Sequence, residues 1–171
     1  MLDDSGLFTD VGQAYKESIF VTPLLDQISS QAAKADQTRS IDADLIRELK
    51  KNNIMRISAS PEIGGLNASI TSIANELRAI APRCTSTAWC MWNHLCTFHH
   101  FAGLLGPRNK EFLAQIVSDK DWVCFPAGAS SKIAGDKTDK VVSLTGVAAF
   151  GSGSRYSEWA GGVFNEGWTD N

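Results

Sequence analysis

Apolar side chains recur at helical spacing through the first two thirds of the chain. One stripe follows Pro23, a residue suited to a first helical turn, and a second follows the candidate cap residues Ser40 and Asp42 and should fray near residues 52–53. A third stripe stops at Pro82. The pattern predicts three amphipathic helices, whose apolar positions are Leu24, Leu25, Ile28, Ala32 and Ala35, then Leu45, Ile46 and Leu49, then Ile70, Ile73, Leu77 and Ile80.

A fourth segment, residues 84–107, contains no Lys, Arg, Asp or Glu and is long enough to cross a bilayer. Its Ser, Thr, Asn and His side chains make it too polar for a lone span facing lipid. We therefore expect a helix buried in a larger helical protein and ended by Gly106-Pro107. A shorter helix should follow over residues 109–117.

The pattern changes after residue 120, because eight of the 14 glycines lie between Gly128 and Gly167. Residues 121–125, 140–147 and 159–164 have the composition of strands, and the polar run 135–139 predicts a turn between the first two. The fold class is α+β, with an all-helical amino-terminal domain (1–119) followed by the beginning of an antiparallel β domain (120–171). Two or three strands with free edges are marginal alone, so we expect this second domain to be incomplete.

Composition excludes some partners. The 16 basic and 19 acidic residues give a formal net charge of -3 and form no basic run, so neither nucleic acid nor a membrane is an expected partner. The first four residues, Met1 to Asp4, lack the charge and apolar run of a secretory signal. Four cysteines without paired short spacing favour a reducing cytoplasm.

The residue types present suggest metal binding, hydrolysis or dinucleotide binding, but the spacing of these residues argues against each of the three. Cys90, His94, Cys96, His99 and His100 could bind zinc, but helical phase separates them into two groups, and we expect no metal. The chain lacks the G-x-S-x-G elbow that would indicate a hydrolase. It also lacks the G-x-G-x-x-G motif that would indicate a dinucleotide-binding fold. A lone His on an apolar helix is more often structural than catalytic, and each aromatic side chain of this helix is as suited to core packing as to a pocket.

Two motifs, taken in order, resemble the acyl-CoA dehydrogenase superfamily. The loop Pro61–Leu66 with its paired glycines is similar to the family's loop after the second main helix. Leu144-Thr145-Gly146, then Phe150–Gly153 and Trp159, is similar to its β-domain element. The resemblance covers roughly residues 20 to 165. It implies a helical domain, a central β domain and a carboxy-terminal four-helix bundle.

Two departures favour the flavin-dependent monooxygenase branch over the dehydrogenases. Phe125–Ser130 lacks the Thr-Glu pair of the dehydrogenase segment, and Phe150–Gly153 stands where the dehydrogenases have W-I-T-N. The branch includes aromatic hydroxylases, sulfur oxygenases of the dibenzothiophene type and amino-sugar N-oxygenases. An acyl-CoA dehydrogenase, or a non-catalytic fragment of either enzyme, remains the alternative.

The resemblance implies an oxygenase component that uses O2 and reduced flavin, FMN or FAD, supplied by a partner flavin reductase, to oxygenate a small organic substrate. It implies that His94, eight residues after Ser86, hydrogen-bonds the oxygen adduct or the substrate, and that Ser152 contacts the flavin ring. Further cofactor contacts are expected from Phe125, Pro126, Ala127, Gly128, Ala129, Ser130, Phe150, Gly151 and Gly153, and substrate contacts from Trp89, Trp92 and Phe98. The complete protein should be a homodimer or homotetramer. The 171-residue chain alone should be inactive, bind flavin poorly and expose apolar surface.

Overall fold

The computed structural model describes residues 20–126, 132–138, 141–162 and 165–166. The helices in this part of the chain are α1 (Leu25–Thr38), α2 (Ala43–Lys51), α3 (Ile70–Ile80), α4 (Thr85–Leu105) and α5 (Lys110–Asp119). Short 3-10 turns at 22–24, 53–56, 61–63 and 107–109 precede or link them. All the helices expected from the apolar pattern are present.

The helix ends follow from local chemistry. The Asp42 carboxylate accepts the backbone N–H of Asp44 at 2.9 Å at the start of α2, and the Ser69 hydroxyl accepts that of Ser72 at 3.1 Å at the start of α3. Helix α1 ends where Arg39 adopts a left-handed conformation (φ 52°). Gly106 ends α4 with φ 64°, next to Pro107.

Two apolar clusters form the core. The larger contains buried residues of α1, α2, α3 and the first half of α4, together with Trp122. The smaller joins Phe98 of α4 to α5 and to Val123. Helix α4 contributes to both clusters with one side only. Its opposite side is exposed, so burial of the whole helix in a larger helical protein stays a prediction.

The strands are short. Strand β1 (Val123–Cys124) pairs in parallel with β4 (Trp159–Ala160), and the second sheet has the order β3-β2-β5, with β2 (Lys132–Lys137), β3 (Val142–Val147) and β5 (Asn165–Glu166). Strands β2 and β3 are antiparallel, with Lys132 opposite Val147 and Lys137 opposite Val142, although the sequence pattern predicts no strand over residues 132–137. The β2–β5 pairing is parallel. The α+β class with a helical amino-terminal part is confirmed.

One expected turn is wrong. Residues 135–137 belong to β2, where Gly135 pairs with Leu144 and Asp136 with Ser143. Lys137, the last residue of β2, pairs with Val142, and the backbone N–H of Thr138 donates to the Val141 carbonyl at 2.8 Å. Helix α5 ends at Asp119, and the division into a helical domain (1–119) and an incomplete β domain (120–171) stays a prediction. None of the helices that the structure describes is long and apolar enough to cross a membrane.

Candidate active site

The exposed side of α4 is a surface without Lys, Arg, Asp or Glu. At 100° per residue its members lie in an arc of about 100° around the helix axis, from about 80° on one side of Trp89 to about 20° on the other. Trp89 is 56% exposed and Trp92 is 42% exposed, and their rings stack with centroids 5.0 Å apart. We call this surface the open face of α4; its exposed residues are Thr85, Trp89, Trp92, Cys96, His99, His100 and Gly103.

Ser152 lies beside this face. The indole N–H of Trp89 donates to the Ser152 hydroxyl at 2.9 Å. Gly153 has φ 85°, and a Cβ there would stand 2.8 Å from Trp122 Nε1, so only glycine lets the backbone pass so close to this indole. Phe150, with φ 62°, is 82% exposed. The segment 150–153 therefore approaches α4 and presents both a hydroxyl and an aromatic ring.

Phe125 and Pro126 border the same region. The Phe125 ring lies edge-on to His100 of the open face, with centroids 5.4 Å apart. A Cβ on Gly151 would lie 3.8 Å from Pro126, so the two loop segments that we expected to contact flavin are adjacent. The other predicted residues of the first segment, Ala127, Gly128, Ala129 and Ser130, lie outside the described part of the chain.

His94 lies on another side of α4 and is 1% exposed. Its Nδ1 accepts the backbone N–H of Val123 at 3.1 Å, and its Nε2 is 3.1 Å from the Met55 carbonyl oxygen. Since Nδ1 is an acceptor, Nε2 carries the proton and donates it to Met55. Burial lowers the pKa of His94 to about 4, against a smaller opposing effect of the Met55 carbonyl, so the ring is neutral at physiological pH. Both ring nitrogens are engaged by backbone, and contact of His94 with an oxygen adduct or substrate stays a prediction.

Phe98 is separated from the two tryptophans. It is 2% exposed and packs in the smaller core cluster with Ile63 and Ile116. It also borders a cavity of about 340 Å³ between residues 58–67, α4 and α5, together with the exposed residues His99 and Lys110. The structure thus brings Trp89 and Trp92 together with Ser152, while a substrate contact of Phe98 stays a prediction.

The remaining sequence candidates are Ser86 and the cysteines. Ser86 is exposed and borders a second cavity of about 240 Å³ with Cys90 and Tyr156. Partial desolvation raises the pKa of Cys90 and also that of Cys96, although Cys96 is exposed, so both thiols are protonated at neutral pH. Among the described residues, no three His, Cys, Asp or Glu side chains are grouped so that they could hold a metal ion.

Cys96, His99 and His100 lie on the open face of α4, and the sequence pattern predicted no role for them in this site. The signal was present: Cys96 follows Trp89 by seven residues, and His99 and His100 follow Trp92 by seven and eight. These are the spacings that share one side of a helix. The arrangement offers an aromatic surface, a polar hydroxyl and two imidazoles bordered by two loop segments. This combination suits a flat, mostly apolar ligand with polar edges.

Comparison with known proteins finds relatives for most of the chain. Residues 24–106 match the family model described as acyl-CoA dehydrogenase, N-terminal domain. The chain is 30% identical over 150 residues to the oxygenase component of p-hydroxyphenylacetate 3-hydroxylase from Acinetobacter baumannii. That alignment covers 85% of this chain and 33% of the relative. The family resemblance drawn from the sequence is confirmed.

Solved structures share the fold at lower identity. The dibenzothiophene monooxygenase TdsC from Paenibacillus sp. A11-2, in complex with FMN and indole, has a TM-score of 0.72 at 15% identity, covering 89% of this chain and 37% of that one. XiaF from Streptomyces sp., in complex with FADH2 and glycerol, has a TM-score of 0.71 at 16% identity, covering 96% and 39%. This chain therefore spans about a third to two fifths of the length of these proteins.

Proposed function

We propose, from the premise that this chain carries the amino-terminal domain of the acyl-CoA dehydrogenase superfamily, that the complete protein is the oxygenase component of a two-component flavin monooxygenase. The observation that carries the proposal is the hydrogen bond between Trp89 and Ser152, which joins the open face of α4 to the segment 150–153. Relatives that are oxygenase components or bind flavin support it.

The residues present fit a flavin. An isoalloxazine ring is flat and aromatic, with polar atoms at one edge, and the open face of α4 supplies stacked indoles without any Lys, Arg, Asp or Glu. Phe125, Pro126 and the segment 150–153 would border the ring, and the undescribed residues 127–130 belong to the same proposal. Reduced flavin, when bound, would supply the electrons that allow one oxygen atom of O2 to pass to the substrate.

The protein's own part is orientation, polarity and exclusion of water. The Ser152 hydroxyl accepts from Trp89, so its own proton is free to be donated to a ligand beside the segment 150–153. The aromatic side chains Trp92, Phe125 and Phe150 would keep water from the reacting region, where it would lead to loss of the oxidising equivalent as peroxide. We assign Trp92 and the neighbouring part of the open face to substrate contact.

We further propose a cofactor, a partner protein, a substrate class and an oligomeric state for the complete protein. The reduced flavin is FMN or FAD, since relatives bind FMN and FADH2. A flavin reductase is the partner, since the relative from Acinetobacter baumannii is one component of its system. The substrate is a small organic molecule, and the complete protein is a cytoplasmic homodimer or homotetramer.

The test is oxygenation by the complete protein with a reductase that supplies reduced FMN or FAD. Ser152→Ala should weaken reduced-flavin binding or lower product yield per O2 by about tenfold, with peroxide rising, because it removes one hydrogen bond worth about 1 kcal/mol or slightly more. Ser154→Ala changes an exposed serine two residues away and is the matched control.

Three results separate the possibilities. Unchanged flavin affinity and product yield in Ser152→Ala would remove this serine from the site. Failure of the complete protein to bind either reduced flavin would overturn the proposed function. Reduction of an artificial electron acceptor with acyl-CoA thioesters, without oxygenation, would favour a dehydrogenase, the second candidate that the family match supports.

A further inference from the structure

His94 connects two pieces of backbone that are far apart in sequence. On one side it donates to the Met55 carbonyl in the 3-10 turn 53–56, and on the other it accepts the N–H of Val123 in β1. The ring also lies against Trp122, with centroids 5.2 Å apart. A side chain that is buried and bonded at both nitrogens is suited to fixing the position of a strand.

The strand that His94 holds leads directly to the candidate site. Val123 precedes Phe125 by two residues and Pro126 by three, and these two residues border the open face of α4 and Gly151. The backbone groups of Trp122, the residue just before β1, are held by Glu158. Trp122 N–H donates to the Glu158 carboxylate at 2.7 Å, and the Trp122 carbonyl accepts the N–H of Glu158 at 3.0 Å.

We propose that His94 is a positioning residue, which sets the placement of Phe125 and Pro126 through its bond to Val123 and exchanges no proton with the reacting groups. The expected effect of His94 on flavin binding rests on the proposed function. The hydrogen bond that holds Val123 does not depend on flavin. His94 acts through the strand, so its replacement should alter the cofactor surface without removing any group that touches the cofactor.

Two conservative variants separate the two ring nitrogens. In His94→Asn the amide oxygen takes the place of Nδ1 and still accepts the N–H of Val123. In His94→Gln the amide nitrogen takes the place of Nε2 and still donates to Met55, while Val123 loses its acceptor. Neither amide titrates, so neither can act as a general acid or base. A positioning role therefore predicts rescue by Asn and loss with Gln.

The first measurement needs no flavin. Amide hydrogen exchange at Val123 in the complete protein should be about tenfold faster in His94→Gln than in wild type, and within about threefold of wild type in His94→Asn. His99→Asn changes an exposed histidine of the same helix and should leave exchange at Val123 unchanged. Equal exchange at Val123 in the Asn and Gln variants would overturn the hold on β1.

The second measurement is reduced-flavin affinity together with product yield per O2. We expect the dissociation constant to rise about tenfold in His94→Gln and to remain near wild type in His94→Asn, with yield following affinity. An equal loss of yield in both variants at unchanged flavin affinity would overturn the proposal and make His94 a proton donor. If the wild-type protein bound no flavin, the proposed function would fail, and the exchange data would still decide the role of His94.

Discussion

The buried imidazole of His94 is neutral because burial disfavours its charged form and because the N–H of Val123 needs Nδ1 as an acceptor. Protonation would place a second N–H on Nδ1, facing the N–H of Val123 instead of accepting it. Glu158 favours the charged form and Lys50 opposes it, and both effects are smaller than that of burial. A single neutral tautomer is therefore part of the folded state.

The lowered pKa of His94 predicts that the stability of the fold depends on pH. The pKa of His94 is about 4 when folded and 6.5 in the reference state, so the unfolded chain takes up the proton first as pH falls. The free energy of unfolding should decrease between about pH 6.5 and pH 4, by up to about 3 kcal/mol, and show no further contribution from this group above or below that window.

The measurement is urea unfolding between pH 7.5 and pH 4 for wild type and His94→Asn. The Asn variant should lose most of the pH dependence over this window, because it has no proton to bind. His100→Asn removes an exposed imidazole of the same helix and controls for the loss of a histidine. Parallel pH profiles for wild type and His94→Asn would show that His94 is not the group responsible.

Helical phase explains which site residues the sequence could place. His94 follows Trp89 by five residues, or about 140° around the axis, so the two could not share a side of α4. Cys96 and His100 lie within about 20° of Trp89, and their exposure could have been derived from the same count. The hydrogen bond from Trp89 to Ser152 could not have been derived from the sequence, because 63 residues and several turns separate the partners.

At the level of the elements, the helices lie where the sequence pattern predicts them, the strands β1, β3 and β4 lie within the predicted ranges, and β2 does not. Capping residues and periodic apolar positions define α2 and α3 locally, as at Asp42 and Ser69. Strand β2 contains Gly135 and Asp136, residues that disfavour strands, and is formed because β3 pairs with it along its whole length. Composition alone could not detect this pairing, and it therefore suggested a turn.

The loop between α2 and α3 gives a prediction of its own. A Cβ on Gly65 would stand 2.0 Å from the carbonyl oxygen of Ala59, which is backbone and cannot move away without shifting the loop. Gly65→Ala should lower the free energy of unfolding by about 3 kcal/mol. Gly103→Ala is the matched control: nothing lies within 4 Å of its Cβ, and it lies in α4.

The free energy of unfolding of the control variant should change in the opposite direction. Because alanine has less conformational freedom than glycine in the unfolded chain, Gly103→Ala should raise the free energy of unfolding by about 0.5–1 kcal/mol. Chemical denaturation of both variants checks the pair. Equal stability of Gly65→Ala and wild type would mean that residues 59–65 do not pack as the structure has them.

In the molecule as a whole, the segment 150–160 is tied to the helices by several independent contacts. The Tyr156 hydroxyl accepts the backbone N–H of Ile41 at 2.5 Å, and Glu158 forms an ion pair with Lys50. The Trp159 indole donates to Asp121 at 2.7 Å. Ser152 is therefore placed by contacts made by its own neighbours as well as by Trp89.

The same molecule leaves much apolar surface in water. Ile70, Leu104 and Phe150 are 79%, 71% and 82% exposed, and the apolar residues of β3 are exposed too, with Val147 at 75%. Exposed apolar surface of this extent is typical of a protein interface. Since the chain spans 33% to 40% of the relatives' length, we expect the remainder of such a protein to cover it.

We expect the 171-residue chain to behave differently from a version extended to the relatives' length. The short chain should bind a hydrophobic dye strongly, self-associate in sedimentation and hold flavin weakly, since the surfaces that would enclose the ring on its other side are absent from it. Phe150→Ser and Val147→Thr, which make two of the most exposed apolar positions polar, should reduce both dye binding and self-association. A monodisperse short chain that binds no dye and holds flavin tightly would show that the open face of α4 needs no further cover. The extended protein would then gain substrate specificity, rather than cofactor binding, from its additional residues.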